Sequence, residues 1–107
     1  MLLPVAQQYA SRFLLRRAGL RTADRKVTLG MIYPHAHDPK DQLLACLANL
    51  PPGVNELVLH PGYEVPGWKS ASAFARVRVV ETKLAMDADV IAAVETNAIS
   101  LISYREL

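Results

Sequence analysis

The chain has 107 residues, 51% of them apolar and 21% charged, with a net charge of +2. That suits one globular domain burying roughly 60 to 70% of its extended-chain surface, and it argues against disorder. No apolar run approaches the roughly 20 residues of a membrane-spanning helix. Cys46 is the only cysteine, which excludes an intramolecular disulfide and argues against a thiolate zinc cluster, so a reducing cytoplasm is the expected compartment.

The first quarter is basic: Arg12, Arg16, Arg17, Arg21, Arg25 and Lys26 stand against the single acid Asp24. Leu2, Ala6, Tyr9, Ala10, Phe13 and Leu14 recur at helical spacing, so we expect an amphipathic helix with this stripe facing the core and the arginines facing water. Arg16 and Arg17 fall near its carboxyl end, where the helix dipole favours cations, and Gly19 supplies the stop. A mitochondrial presequence and a nucleic-acid-binding stripe are the competing readings of the same arginines, and both rank below the amphipathic helix.

Residues 26–33 are apolar and β-branched and predict a strand that Pro34 ends. Asp38 then reads as an N-cap, with Pro39 at the first helical position and Asp41 in the first turn. Leu43, Leu44, Leu47 and Leu50 carry the apolar face of this second helix as far as Pro51. The run Val54, Leu57, Val58, Leu59, bounded by Pro51-Pro52-Gly53 and Pro61-Gly62, predicts a buried strand that delivers His60 into a Pro-Gly turn. In parallel α/β sheets ligands bind at this carboxyl end of the strands, because helices cover both faces and only the strand tips open onto a cleft.

Residues 61–72 form a loop long enough for a binding function, with Ser70 or Ser72 as cap for the next helix. Phe74, Val77, Val80, Glu81 and Leu84 trace that helix; the β-branched run 77–80 leaves a strand as the second reading. Asp87 or Asp89 opens a further helix through Val90, Ile91 and Val94, with Asn97 as a left-handed stop. Residues 98–103 predict a last strand. The order α-β-α-β-α-α-β calls for an α/β fold with parallel strands, and the edges of so small a sheet need covering by a second copy or by a missing half.

Three stretches carry a family resemblance: Arg17-Ala18-Gly19-Leu20-Arg21-Thr22-Ala23-Asp24; Leu50-Pro51-Pro52-Gly53-Val54-Asn55-Glu56-Leu57-Val58-Leu59-His60-Pro61-Gly62-Tyr63; and Ile99-Ser100-Leu101-Ile102-Ser103-Tyr104-Arg105-Glu106-Leu107. In order and spacing they resemble the carboxyl-terminal part of the YdjC-like carbohydrate deacetylases, the ChbG/HpnK family, with the branch associated with hopanoid biosynthesis nearest. The resemblance implies a partial TIM-barrel-like scaffold, an N-acetylated sugar as substrate and a divalent metal, Mg or Zn, in the full domain. The family's metal-binding Asp-Asp and His-x-His segments would precede residue 1. The chain is therefore expected to be an incomplete deacetylase, with a non-enzymatic oligomerising or docking module derived from that fold as the alternative.

By the same resemblance His60 is the catalytic candidate, as general acid or as a contact to the reacting group; an imidazole exchanges protons near neutrality. Glu56, four residues earlier, shares its side of the pleat and could orient a sugar hydroxyl. Pro61 and Gly62 would bring backbone close to substrate, and Tyr63 and Trp68 offer flat faces for a pyranose ring or pack under their own loop. Arg78 and Glu81 resemble the family's Arg-x-x-Glu stretch; the simple expectation is an i,i+3 pair on the helix surface. His35 and His37, with Asp38 adjacent, could hold zinc if the segment is extended, but match no family motif; surface-loop histidines are the preferred reading.

Overall fold

The computed structural model describes residues 3–28, 38–64 and 73–107. In chain order these form α1 (Leu3–Arg17), β1 (Arg25–Thr28), α2 (Pro39–Ala48), β2 (Asn55–Val58), α3 (Ala73–Ala85) and α4 (Ala88–Thr96), followed by a 3-10 turn at Tyr104–Glu106. β1 and β2 pair in parallel, with Arg25 opposite Asn55, Lys26 opposite Glu56, Val27 opposite Leu57 and Thr28 opposite Val58. The fold is thus α/β with the parallel pairing expected.

Local chemistry explains most boundaries. The Asp38 side chain accepts the Lys40 backbone N–H at 2.9 Å and Pro39 occupies the first turn, so α2 starts where its orphan amides are satisfied. Asp87 caps α4 in the same way, accepting from Asp89 and Val90. At the end of α1, Gly19 adopts φ +79° while its N–H and that of Leu20 bond back to the Arg16 and Leu15 carbonyls at 3.0 and 2.9 Å. α4 ends with the same paired bonds, from Ala98 to Glu95 and from Ile99 to Val94. Its left-handed residue is Ala98 (φ 52°), one position beyond the expected Asn97, which stays at φ −88°.

The core lies on one side of the sheet. Leu43 and Leu47 from α2, Leu84 from α3 and Val90 from α4 are buried together, with Leu44, Leu50, Leu57, Leu59, Val94 and Ile99 packed around them. Lys40 at the head of α2 pairs with Asp87 at 3.0 Å and Asp89 at 2.6 Å, bringing the starts of α2 and α4 together. Those contacts hold the Asp87 carboxyl below its ordinary pKa, with the Lys40 hydrogen bond as first cause, and raise that of Lys40, chiefly through Asp89.

Two further expectations fail here. Residues 98–103 form no strand: Leu101 is 81% exposed and Ile102 is also solvent-facing, while Ile99 is drawn into the core by the end of α4. An apolar run becomes a strand only beside a neighbour that accepts its backbone bonds, and β1 and β2 pair only with each other among the described residues. The observed order is therefore α-β-α-β-α-α with a terminal 3-10 turn, and no barrel closes among these residues. The second failure is α1, whose Tyr9, Phe13 and Leu14 are exposed instead of buried.

The α1 helix is turned because its arginines find an acceptor in Asp24, just before β1. Arg16 Nη2 meets Asp24 Oδ1 at 2.7 Å, and Arg12 donates to the Asp24 backbone carbonyl. Asp24 Oδ2 accepts the Val54 N–H at 2.9 Å, while the Asp24 N–H returns a bond to the Val54 carbonyl at 2.8 Å. The Val54 hydrogen bond, followed by Arg16, holds the Asp24 carboxyl below the usual carboxylate range. Gly53, at φ +110°, is required at this junction: a Cβ there would stand 2.7 Å from Asp24 Oδ2.

Candidate functional site

The turn after β2 meets one face of α3. Gly62 N–H donates to Thr82 Oγ1 at 2.8 Å, and that hydroxyl lies 3.0 Å from the Gly62 carbonyl and 2.9 Å from the Arg78 carbonyl, either of which can take its proton. Arg78 Nη2 reaches the Pro61 carbonyl at 3.5 Å. A Cβ on Gly62 would meet Arg78 Nε at 3.0 Å and Cβ at 3.3 Å, so the glycine allows the turn to lie directly on the helix. Residues 78, 81 and 82 share one helical face, which is why all three meet the same turn.

Glu81 occupies the centre of that contact. Its side chain is 0% exposed, set between Val77 and Leu84 on the inward side of α3. Its Oε2 accepts the backbone N–H of His60 and lies 3.5 Å from His60 Nδ1; Oε1 has no hydrogen-bond partner among the described residues. Glu81 is therefore a buried partner of the catalytic candidate, and its expected place as a surface partner of Arg78 is corrected. The stripe Val77, Glu81, Leu84 carried the signal in the sequence: an acid where the helical period calls for an apolar residue.

His60 itself stands two residues beyond β2, at the carboxyl end of the parallel pair, and is half-buried. Pro61 is exposed, Gly62 half-buried, and Tyr63 is 84% exposed. The structure thus gathers His60, Pro61, Gly62 and Glu81 around one turn. Trp68, His35 and His37 lie outside the described residues.

Glu56 lies elsewhere. It lines a cavity of about 900 Å³ between α1 and the sheet, together with Tyr9, Arg12, Leu15, Lys26 and Tyr104, and His60 does not border that space. Leu57 and Leu59 face the core, so Glu56 projects to the other side of the sheet, where α1 lies. The buried acid and the histidine meet outside that cavity, at the turn after β2.

Among the described residues no group of three or more His, Cys, Asp or Glu side chains could hold a metal ion. The His60–Glu81 pair alone does not supply the set of ligands that a divalent ion needs. Cys46 is half-buried on α2, and burial pushes its thiol pKa up, away from nucleophilic reactivity. No helix among the described residues is long and apolar enough to cross a membrane.

Compared with known proteins, the chain is 32% identical over 104 residues to a carbohydrate deacetylase of Thermoanaerobacter pseudethanolicus, a match covering 95% of this chain and 40% of that protein. It is 28% identical over 109 residues to a carbohydrate deacetylase of Geobacillus stearothermophilus, covering 96% of this chain and 44% of that protein. The chain spans about two fifths of the length of the curated relatives it matches. No family model matches it, and no solved structure is significantly similar.

Proposed function

We propose that this chain is the carboxyl-terminal portion of a YdjC-like carbohydrate deacetylase, nearest the hopanoid-associated branch, acting on an N-acetylated sugar in the cytoplasm. The observation that carries the reading is the similarity to two carbohydrate deacetylases along 95% and 96% of the chain. The pairing of a strand-end histidine with a fully buried acid agrees with it.

Hydrolysis of an acetamide needs an activated water, a stabilised tetrahedral oxyanion and a proton for the departing amine. His60 supplies the last of these from its place at the strand tip, where an imidazole can act as a general acid. Tyr63 offers an exposed ring against which a pyranose can stack. Pro61 and Gly62 fix the height of the turn through their bonds to α3. A divalent cation, Mg or Zn, belongs to this reading for a full domain, but the described residues do not fit one.

The test is acetate release from N-acetylglucosamine oligomers with added divalent metal. Replacing His60 by Ala is expected to lower release by roughly 100- to 10,000-fold, the usual contribution of a general acid. Absence of acetate release together with absence of sugar binding by calorimetry would overturn the reading for this chain.

A second reading, a non-enzymatic module that associates with itself or with a missing half, is favoured by one observation: Tyr9, Phe13 and Leu14 on α1 and Leu101, Ile102 and Tyr104 near the end of the chain are all exposed. Sedimentation that gives a defined oligomer without sugar binding would select it.

A further inference from the structure

We propose that Glu81 is the positioning residue of His60, selecting the imidazole tautomer with its proton on Nδ1 and thereby making Nε2 the nitrogen that handles the proton in the reaction. The proposal deepens the deacetylase reading and rests on it for its chemical meaning, though not for its test. It starts from the oxygen that Glu81 directs at His60. Oε2 accepts the His60 backbone N–H and stands 3.5 Å from Nδ1 of the same residue, so one carboxylate oxygen bonds the backbone and faces the ring.

Oε2 accepts the His60 backbone N–H, so the oxygen that faces the ring is an acceptor. A ring nitrogen facing it gains by being the donor, which puts the proton on Nδ1 in the neutral imidazole and leaves the lone pair on Nε2. The 3.5 Å separation is longer than a formed hydrogen bond, as is common before substrate closes a site. Little movement is needed to shorten it, because the turn is already held on both sides of the histidine. Glu81 takes the His60 N–H, and Thr82 takes the Gly62 N–H one residue past Pro61.

The position of Glu81 argues against a purely structural role. The side chain is wholly buried beside Leu84, and its Oε1 has no hydrogen-bond partner among the described residues. A leucine or methionine there would fill the space without the desolvation cost of a carboxylate. What an apolar side chain cannot do is accept from the ring and the backbone of His60 together.

The test is the tautomer of His60 in the uniformly nitrogen-15-labelled chain, read from long-range proton–nitrogen spectra of the imidazoles at alkaline pH. The His60 signals are assigned by their loss in His60→Ala. The wild type is expected to carry the proton on Nδ1. Glu81→Gln keeps that tautomer, because the two donors of His60 select the amide oxygen over the amide nitrogen. Glu81→Met removes the acceptor, the Nδ1 proton loses the group that holds it, and the proton is expected to move to Nε2. A wild-type protein with the proton on Nε2 overturns the proposal, as does a folded Glu81→Met chain that keeps it on Nδ1. If Glu81→Met does not fold, the wild-type and Glu81→Gln spectra decide. None of these readings needs catalysis, so loss of the deacetylase assignment and loss of the positioning role remain separate outcomes.

Discussion

Helices α1 and α2 are both amphipathic, yet they turn opposite faces to the protein. α2 buries Leu43 and Leu47 and leaves Asp41 and Ala45 outside; α1 directs Arg12 and Arg16 at Asp24 and leaves Phe13 62% exposed. Helical periodicity says that two faces differ. Which face turns inward depends on what the rest of the chain presents: α2 meets apolar side chains from α3, α4 and β2, whereas α1 meets a carboxylate and a carbonyl at the start of β1. The arginine cluster is thus used within the fold, with Arg21 donating to the Leu107 backbone oxygen and Arg25 to the Pro52 carbonyl.

The contrast can be broken at either helix. Replacing Leu43 by Ala opens a cavity at the most deeply buried apolar position, and a loss of about 2 to 5 kcal/mol is expected in urea unfolding. A loss below about 1 kcal/mol would mean that the α2 face is not the core. On the α1 side, Gly53→Ala forces a left-handed alanine against Asp24 Oδ2, with an expected cost of about 1 to 3 kcal/mol by the same measurement.

Acid sharpens the comparison further. The Asp24 pKa is lowered in the folded chain, so the stability it contributes is present above its ordinary unfolded value near pH 4 and is lost as pH falls through the folded value. Asp24→Asn is expected to flatten that part of the acid limb of thermal melts, and an unchanged limb would show that the Arg16 and Val54 contacts do not hold α1. The smallest effect belongs to the exposed face: Phe13→Ser should change stability by no more than about 0.5 kcal/mol. A loss comparable to that of Leu43→Ala would show that α1 is packed by a face the contacts here leave open, and it would erase the distinction between the two helices.

Much of the local structure was legible in the residues. Asp38-Pro39 and Asp87 announce helix starts because an N-cap needs only a short acceptor and the next three amides. Gly19 marks a helix end, since its left-handed backbone needs no distant partner. The strand leading into His60 was readable for the same reason: its apolar residues and the flanking prolines and glycines sit within twelve positions. At the end of α4 the local rule chose the wrong residue, and Ala98 rather than Asn97 takes the positive φ; there the Ile99 amide bonds the Val94 carbonyl as Ile99 packs on the core.

The site was legible only in part. His60, Pro61, Gly62 and Tyr63 stand together in sequence and remain together in space. Glu56 also looked like a neighbour of His60, but it projects toward α1 while the chain leaves the strand at Val58, before His60. Glu81, 21 residues from His60, looked like one end of a surface pair and is instead the buried acid beneath the histidine. An acid on a helix reads as solvated until a partner from another element is brought against it.

The sequence by itself determined where helices start and stop, that a strand carries His60 to a Pro-Gly turn, and the likeness to carbohydrate deacetylases. These depend on dihedral preferences, on caps within one turn and on residue identity along the chain. Tertiary structure alone decided which face of α1 turns inward, that residues 98–103 form no strand, and that Glu81 stands against His60. Each of those depends on a partner distant in sequence, and hydrogen bonds and burial act on what is near in space.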